Sequence, residues 1–152
     1  MLTQQLNRTD PETIQVVFTN VDGSGSITTG MGVALVLTGA SIDGVSAVKS
    51  TAALWPGFIG VSTKDVAING YGLSTMYGIA NSVAFSNVGT SITVTRGDVL
   101  VPSAVAGYFF TGALAVAAWT TLNYKMGWAA STVPVDLSNL AQSYVKGLIR
   151  AV

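Results

Sequence analysis

From Phe58 onward the chain repeats one rhythm, a short stretch rich in β-branched and aromatic residues followed by a turn. The stretches are FIGVS (58–62), YGLSTMYG (71–78), SVAFS (82–86), SITVT (91–95) and DVLVP (98–102). They are parted by Asn69-Gly70, Asn81, Asn87-Val88-Gly89 and Arg96-Gly97-Asp98. Short strands with turn signals at a spacing of roughly 8–12 residues predict an antiparallel β-sandwich or small barrel. The 17 glycines suit many tight turns, and they lack the period of collagen or a solenoid.

The N-terminal half fits the same class less regularly. Residues 1–12 read as a polar arm, broken at Thr9-Asp10-Pro11, where the residue before proline favours extended backbone. Residues 13–152 then form one β-rich domain, a length that asks for no second one. Thr13 to Asn20 is rich in β-branched residues and predicts a strand. Val21-Asp22-Gly23-Ser24-Gly25-Ser26 predicts a loop. Met31 to Leu37 is a continuous apolar run, as in a strand buried on both faces. Asp43-Gly44 predicts a hairpin turn into Val45–Lys49, and Trp55-Pro56-Gly57 punctuates the chain again.

The last segment carries a different period. Asp136 is placed to cap a short C-terminal helix, and Leu137, Leu140, Ala141, Tyr144, Val145, Leu148 and Ile149 make an apolar stripe at helical spacing. Gly147 inside that stripe costs a helix about 1 kcal/mol relative to alanine. The stripe either closes the core of its own subunit or docks on a neighbouring one.

Chemistry is restricted by what is missing. The chain has no cysteine and no histidine, so it lacks a disulfide framework, a thiolate metal site and the commonest general base and zinc ligand. Gly23 to Gly30 superficially resembles a phosphate-binding loop. It lacks the Gly-Lys-Ser/Thr that would supply the lysine and the magnesium hydroxyl, and Thr28 stands where a dinucleotide fingerprint needs its third glycine. No serine can pair with a histidine as in an α/β-hydrolase. Asp10 and Glu12 are the one close carboxylate pair, on the polar arm where no dry pocket would raise a pKa. Asp65 and Asp98 could form a glycosidase pair only by converging in space. Asp22 lacks the spaced oxygens of a calcium loop. The expectation is no catalytic residue, no metal and no cofactor.

Charge sharpens the picture. Charged residues make up only 9%, seven basic and seven acidic, against roughly a quarter in ordinary soluble domains. Arg8, Lys49, Lys64, Arg96, Lys125, Lys146 and Arg150 form no cluster, so the footprint of a nucleic-acid binder is absent. The N-terminus lacks a basic region followed by an apolar stretch, which argues against a secretory signal. The longest apolar stretch, Ala104 to Trp119, is shorter than the roughly 20 residues of a spanning helix, and no membrane segment is expected. A neutral, charge-poor monomer has poor colloidal stability, which is resolved when other subunits cover its apolar surface. Among the aromatics, Trp55, Tyr71, Tyr77, Tyr108, Phe109, Phe110, Trp119, Tyr124 and Trp128 divide between core and surface anchors. On chemistry alone, a carbohydrate- or receptor-binding β module with an exposed aromatic platform fits as well as an assembly protein.

The stretch Gly60 to Ala80, GVSTKDVAINGYGLSTMYGIA, resembles a recurrent passage of small head proteins of tailed phages: Gly-Val, Asp-Ile/Val-Ala, Tyr-Gly, then an alternating strand ending in aromatic-Gly. Gly97-Asp98-Val99-Leu100-Val101-Pro102-Ser103 is similar to their Gly-Asp-x-Leu-x-x-Ser turn, followed by Ala106-Gly107. Met126-Gly127-Trp128-Ala129-Ala130 is similar to their late Ile-Gly-x-Ala strand. The pieces keep the family's order over about half the chain, whereas the N-terminal half matches loosely and the C-terminal helical stripe departs from the pattern. The resemblance is to the head decoration (cement) proteins. It implies a β-rich subunit on the outer surface of the virion capsid, with the major capsid protein as partner and a homotrimer, or alternatively a dimer, as its own state.

Overall fold

The computed structural model of the chain describes residues 13–37, 44–51, 53–54, 57–85, 92–103, 105–111, 127–129, 133–135 and 143–150. These form eleven strands: β1 (Ile14–Asn20), β2 (Gly32–Leu35), β3 (Ser46–Lys49), β4 (Phe58–Ser62), β5 (Tyr71–Phe85), β6 (Ile92–Val94), β7 (Val99–Pro102), β8 (Phe109–Thr111), β9 (Gly127–Ala129), β10 (Val133–Val135) and β11 (Ser143–Arg150). The described residues contain no helix, and the fold is mostly β, as the turn rhythm predicts. The N-terminal arm, residues 1–12, lies outside them.

Nine strands form one sheet that closes on itself. The pairings run β1-β3-β2-β4-β5 and return from β5 to β1, which makes a closed five-stranded barrel. The same sheet continues β5-β11-β9-β7-β8 and returns from β8 to β5 through the pair Phe85 and Phe109, a second closed ring of five. β5 belongs to both. At 15 residues it is far longer than the usual five or six, and at about 3.3 Å per residue it runs about 50 Å. Its first part pairs with β1 and β4, and its later part with β11. Tyr77 marks the change, being the register partner of both Ile14 and Arg150. Across the β1–β5 pairing Ile14 faces Tyr77 but Gln15 faces Thr75, so Met76 is an extra residue in a bulge at that junction. β6 and β10 form a separate antiparallel pair.

The expectation of a wholly antiparallel sheet needs correction. β1 pairs with β3, and β5 with β8, in parallel. The reason is one of parity, because strand direction cannot alternate all the way round a closed ring with an odd number of members. At least one neighbouring pair must run the same way, and each ring has one. The expected break at Asn81 also fails. β5 continues through it, with a bulge there: Val83 pairs with Val145 and Ala80 with Gly147, so Asn81 and Ser82 stand against the single residue Lys146.

The C-terminal expectation is corrected as well. Residues 143–150 are strand β11, lying between β5 and β9. Gly147 and Ile149 are buried and Leu148 is exposed, a period of two. Val145, Ile149 and Tyr144 suit a strand as well as a helix face, and pairing on both sides decides between them. A Cβ on Gly147 would stand 2.8 Å from Val83 Cγ2, so the glycine that weakens a helix here permits close packing inside the sheet. Asp136 to Gln142, the earlier part of the expected helix, lies outside the described residues.

The buried side chains gather into two clusters. One holds Phe18, Ile27, Met31, Val33, Ala47, Ile59, Val66 and Ala84, mostly within the first ring. The other holds Val61, Ala80, Val83, Phe85, Val94, Leu100, Phe109, Ala129 and Ile149, mostly within the second. They interlock where the rings meet. At the end of β5, Val83 and Phe85 face one cluster and Ala84 the other. Phe58 packs edge-on against Phe109 with ring centroids 5.9 Å apart. Gly32 leaves room for the Phe109 ring, whose Cζ would lie 2.9 Å from a Cβ there. The continuous burial of Gly32, Val33 and Ala34 follows from this double coverage.

Candidate functional site

Every acidic side chain singled out from sequence within the described residues is engaged by hydrogen bonds from loop or strand neighbours. Asp22 is 9% exposed at the end of β1. Its Oδ1 accepts from the Ser24 N–H at 2.8 Å and the Ser24 hydroxyl at 2.5 Å, and its Oδ2 accepts from the Lys49 N–H at 3.0 Å. Burial alone would raise this carboxyl's pKa. The hydrogen bonds from Ser24 and Lys49, with the Lys49 charge, outweigh burial and hold it below its ordinary value. Asn20, fully buried, donates to the Val66 carbonyl at 2.9 Å and the Gly25 carbonyl at 3.2 Å. The Gly23 to Gly30 segment is therefore clamped from within. Its Ile27 bridges to Val66.

Asp65, in the loop between β4 and β5, accepts from the Thr29 N–H at 2.7 Å and the Thr29 hydroxyl at 2.9 Å. These two bonds lower its pKa against a smaller opposing effect of desolvation. Asp98 accepts from the Thr95 N–H at 2.8 Å within the turn joining β6 to β7. Each of the pair is thus tied to a different loop. Asp10 and Glu12 lie outside the described residues. Among the described residues no group of three or more His, Cys, Asp or Glu could hold a metal ion, and no helix is long and apolar enough to cross a membrane. Within the apolar stretch Ala104 to Trp119, Phe109 to Thr111 is strand β8.

Two surface features remain. The first is a cleft of about 370 Å³ lined by Thr13, Gln15, Thr29, Val61, Ser62, Thr63, Thr75, Ile79, Ala80, Asn81 and Ser82. The lining is hydroxyl, amide and apolar, with no ionisable side chain, so the cleft can exchange neutral hydrogen bonds. The Asp65–Thr29 contact pins one rim.

The second is a set of exposed apolar cross-strand pairs on β1, β5 and β11 where the rings join. Val17 stands opposite Leu73, Ile14 opposite Tyr77, and Leu148 opposite Ile79. All six side chains are between 37% and 52% exposed. Alternation along β5 sets Tyr71 and Leu73 against Gly72 and Ser74, and Tyr77 and Ile79 against Gly78 and Ala80; the Met76 bulge between the two groups flips the parity, so the Val17–Leu73 pair lies on the opposite face from Ile14–Tyr77 and Leu148–Ile79. The Met76 bulge brings Ile14 level with Tyr77. Sequence reading took Tyr71 and Tyr77 as candidate anchors but missed the aliphatic members, whose alternation was visible while their lateral pairing was not. Tyr71, at 71% exposed, extends the Val17–Leu73 side. Of the other aromatics, Phe109 is core and Tyr108 packs partly against the first cluster. Phe110 lies in β8 and Trp128 in β9, while Trp55, Trp119 and Tyr124 lie outside the described residues.

Compared with known proteins, the chain matches no family model and no curated protein sequence.

Proposed function

We propose that the chain is a capsid decoration protein that binds the outside of an assembled phage head and stabilises it by bridging coat subunits. The observation that carries this reading is the ordered resemblance from Gly60 to Ala130. The exposed apolar pairs on β1, β5 and β11 support it, on a chain with few charges. No catalytic residue, cofactor or metal is assigned. The partners are the major capsid protein and further copies of the chain, as a homotrimer or alternatively a dimer, without nucleic acid or membrane.

The mechanism is mechanical. A shell filled with DNA is under internal pressure, and a subunit spanning two coat proteins adds buried interface without any chemistry. A standard contact buries on the order of 1,600 Å². Repetition over many sites makes the total large even where one contact is weak.

The test is co-sedimentation with expanded shells, with free coat subunits and a glycan array as controls. Sedimentation with shells alone is expected, because a site composed of several coat subunits exists only after assembly. Removal of Met1 to Asp10 should weaken attachment and leave the β domain folded, since a polar arm that orders on the shell contributes only when bound. The second reading, a carbohydrate- or receptor-binding module, is favoured by the exposed Tyr71 and, separately, by a cleft of hydroxyls and amides. Retention of one glycan class without shell binding would establish it instead.

A further inference from the structure

We infer that the cleft walled by β1, β4 and β5 is a binding site for a small neutral sugar. This goes beyond the decoration reading and does not depend on it. It rests on the second reading, to which it gives a site and a ligand class.

Topology creates the cleft. A strand residue has one neighbour on each side, so the double partners of Tyr77 and of Phe85 fix the two sides of β5. β11 holds one side from Tyr77 to Phe85. On the other side β1 ends its pairing at Tyr77 and β8 begins at Phe85. Among the described residues no strand pairs with β5 between those two points on that side. The loop before β2 comes up to it instead, and the Ala84 N–H donates to the Gly30 carbonyl at 2.9 Å. Ile79 to Ser82 therefore wall a recess, with Gln15, Thr29 and the end of β4 around it. Its volume of about 370 Å³ is at the small end of the roughly 300–1,000 Å³ typical of ligand clefts.

The polar groups select the occupant. Three hydroxyls of the lining are already spent as donors. Thr29 Oγ1 donates to Asp65 Oδ1 at 2.9 Å, Thr63 Oγ1 to the Leu73 carbonyl at 3.1 Å and Ser62 Oγ to the Lys64 carbonyl at 2.7 Å. A hydroxyl has one proton and two lone pairs, so what each can still offer is acceptance. The Thr29 N–H is likewise taken by Asp65. Gln15 and Asn81, both exposed, add side-chain amides that donate and accept. A fitting ligand must donate to the threonines and exchange both kinds of bond with the amides, as sugar hydroxyls do. Carboxylates and phosphates chiefly accept, and among the described residues no ionisable side chain lines the cleft to balance their charge. An ammonium group finds no carboxylate in the lining either, and the Asp65 oxygen beside Thr29 already accepts twice. Ile79, 41% exposed, gives the C–H face of a sugar ring an apolar patch. No aromatic ring among the described residues lines the cleft, so the expected affinity is millimolar.

The test is an amide NMR titration of the full chain with maltose, cellobiose, lactose and diacetylchitobiose at millimolar concentration. Signals of Thr29, Thr63, Asn81 and Ser82 should move with at least one of these sugars. Those of Leu37 and Val105, which do not line the cleft, should stay. Sodium phosphate, sodium acetate and ammonium chloride should move none of the four. The double variant Gln15→Ala/Asn81→Ala alters exposed side chains, should keep its β circular dichroism, and should bind the sugar about tenfold more weakly or worse, as removal of one or two hydrogen bonds implies. Thr63→Val should weaken binding as well, and Thr63→Ser, which keeps the hydroxyl, should not.

Four unmoved signals with every sugar would overturn the inference, as would an equal response to phosphate or a double variant that binds like the natural chain. A glycan retained on an array equally by both proteins would keep the second reading and place its site elsewhere, overturning this inference alone. Shell binding lost in the double variant, with no sugar moving a signal, would make the cleft a coat contact and overturn it too.

Discussion

Phe18 on β1 stands directly opposite Gly72 on β5, and its ring occupies the space a side chain at 72 would need. A Cβ there would lie 2.7 Å from Phe18 Cζ. Phe18 is fully buried in the first cluster and cannot swing outward. Gly72→Ala should therefore cost about 1–3 kcal/mol by overpacking, and Phe18→Leu should recover part of that loss in the double variant. Urea unfolding of the four proteins measures the coupling, and strictly additive costs would contradict the contact.

Gly60 should tolerate substitution less well still. Its φ is +126°, and a Cβ would run into the Thr75 carbonyl across the β4–β5 pairing. Backbone is the obstacle and no rotamer change relieves it. Gly60→Ala should destabilise by about 3 kcal/mol or more, visible as a lowered urea midpoint.

Asp22 predicts an acid dependence with a definite sign. Its folded pKa lies below the ordinary 3.8, so its stabilising effect is complete at neutral pH and is lost as pH falls below that value through the folded pKa. Asp22→Asn retains one acceptor oxygen for Ser24 but turns an N–H₂ group toward the Lys49 N–H, where two donors meet. The loss at pH 7 should be about 1–3 kcal/mol. The gap between the two proteins should stay constant down to about pH 4 and then shrink; a gap that widens under acid would refute the assignment.

Ser50 predicts the opposite kind of outcome. Its hydroxyl is buried without a hydrogen-bond partner, close to the Gly32 Cα and the Phe109 ring. Ser50→Ala removes a polar group that the fold leaves unpaired. It should be neutral or stabilising by about 1 kcal/mol in thermal or urea unfolding, whereas most changes at fully buried positions destabilise.

How much of this could be read from residues alone depended on the range of the interaction responsible. FIGVS became β4 with the bounds expected, because turn chemistry is local, and β3 does pair back antiparallel on β2, while Asp43 lies outside the described residues. Asn81 misled in part, since the strand runs on through it but the β5–β11 register shifts there, so the turn residue became a bulge and not a strand end. β11 misled for a related reason. Leu148 and Ile149 fit a helical stripe, but they also fit a strand with Ile149 inward and Leu148 outward, and β5 and β9 chose between these. Ring closure at Phe85 and Phe109 joins residues 24 apart in sequence through one pair, and no local pattern announces it. The exposed pairs were half visible: Leu73 and Ile79 each alternate with buried neighbours, but their meeting with Val17 and Leu148, and the bulge that sets them on opposite faces, need the register.

The shared strand β5 also orders events in time. The five strands of the first ring are contiguous in the chain, from Ile14 to Phe85, so that ring can close once Phe85 has been synthesised. The later part of β5 must then wait, its apolar residues uncovered, until β11 arrives from the other end of the sequence. Chains paused in that interval expose an unpaired strand edge and are the species most prone to aggregate. In the finished protein the order reverses as protection. Hydrogen exchange along β5 should be slowest near Tyr77, where opening the backbone means opening both rings at once.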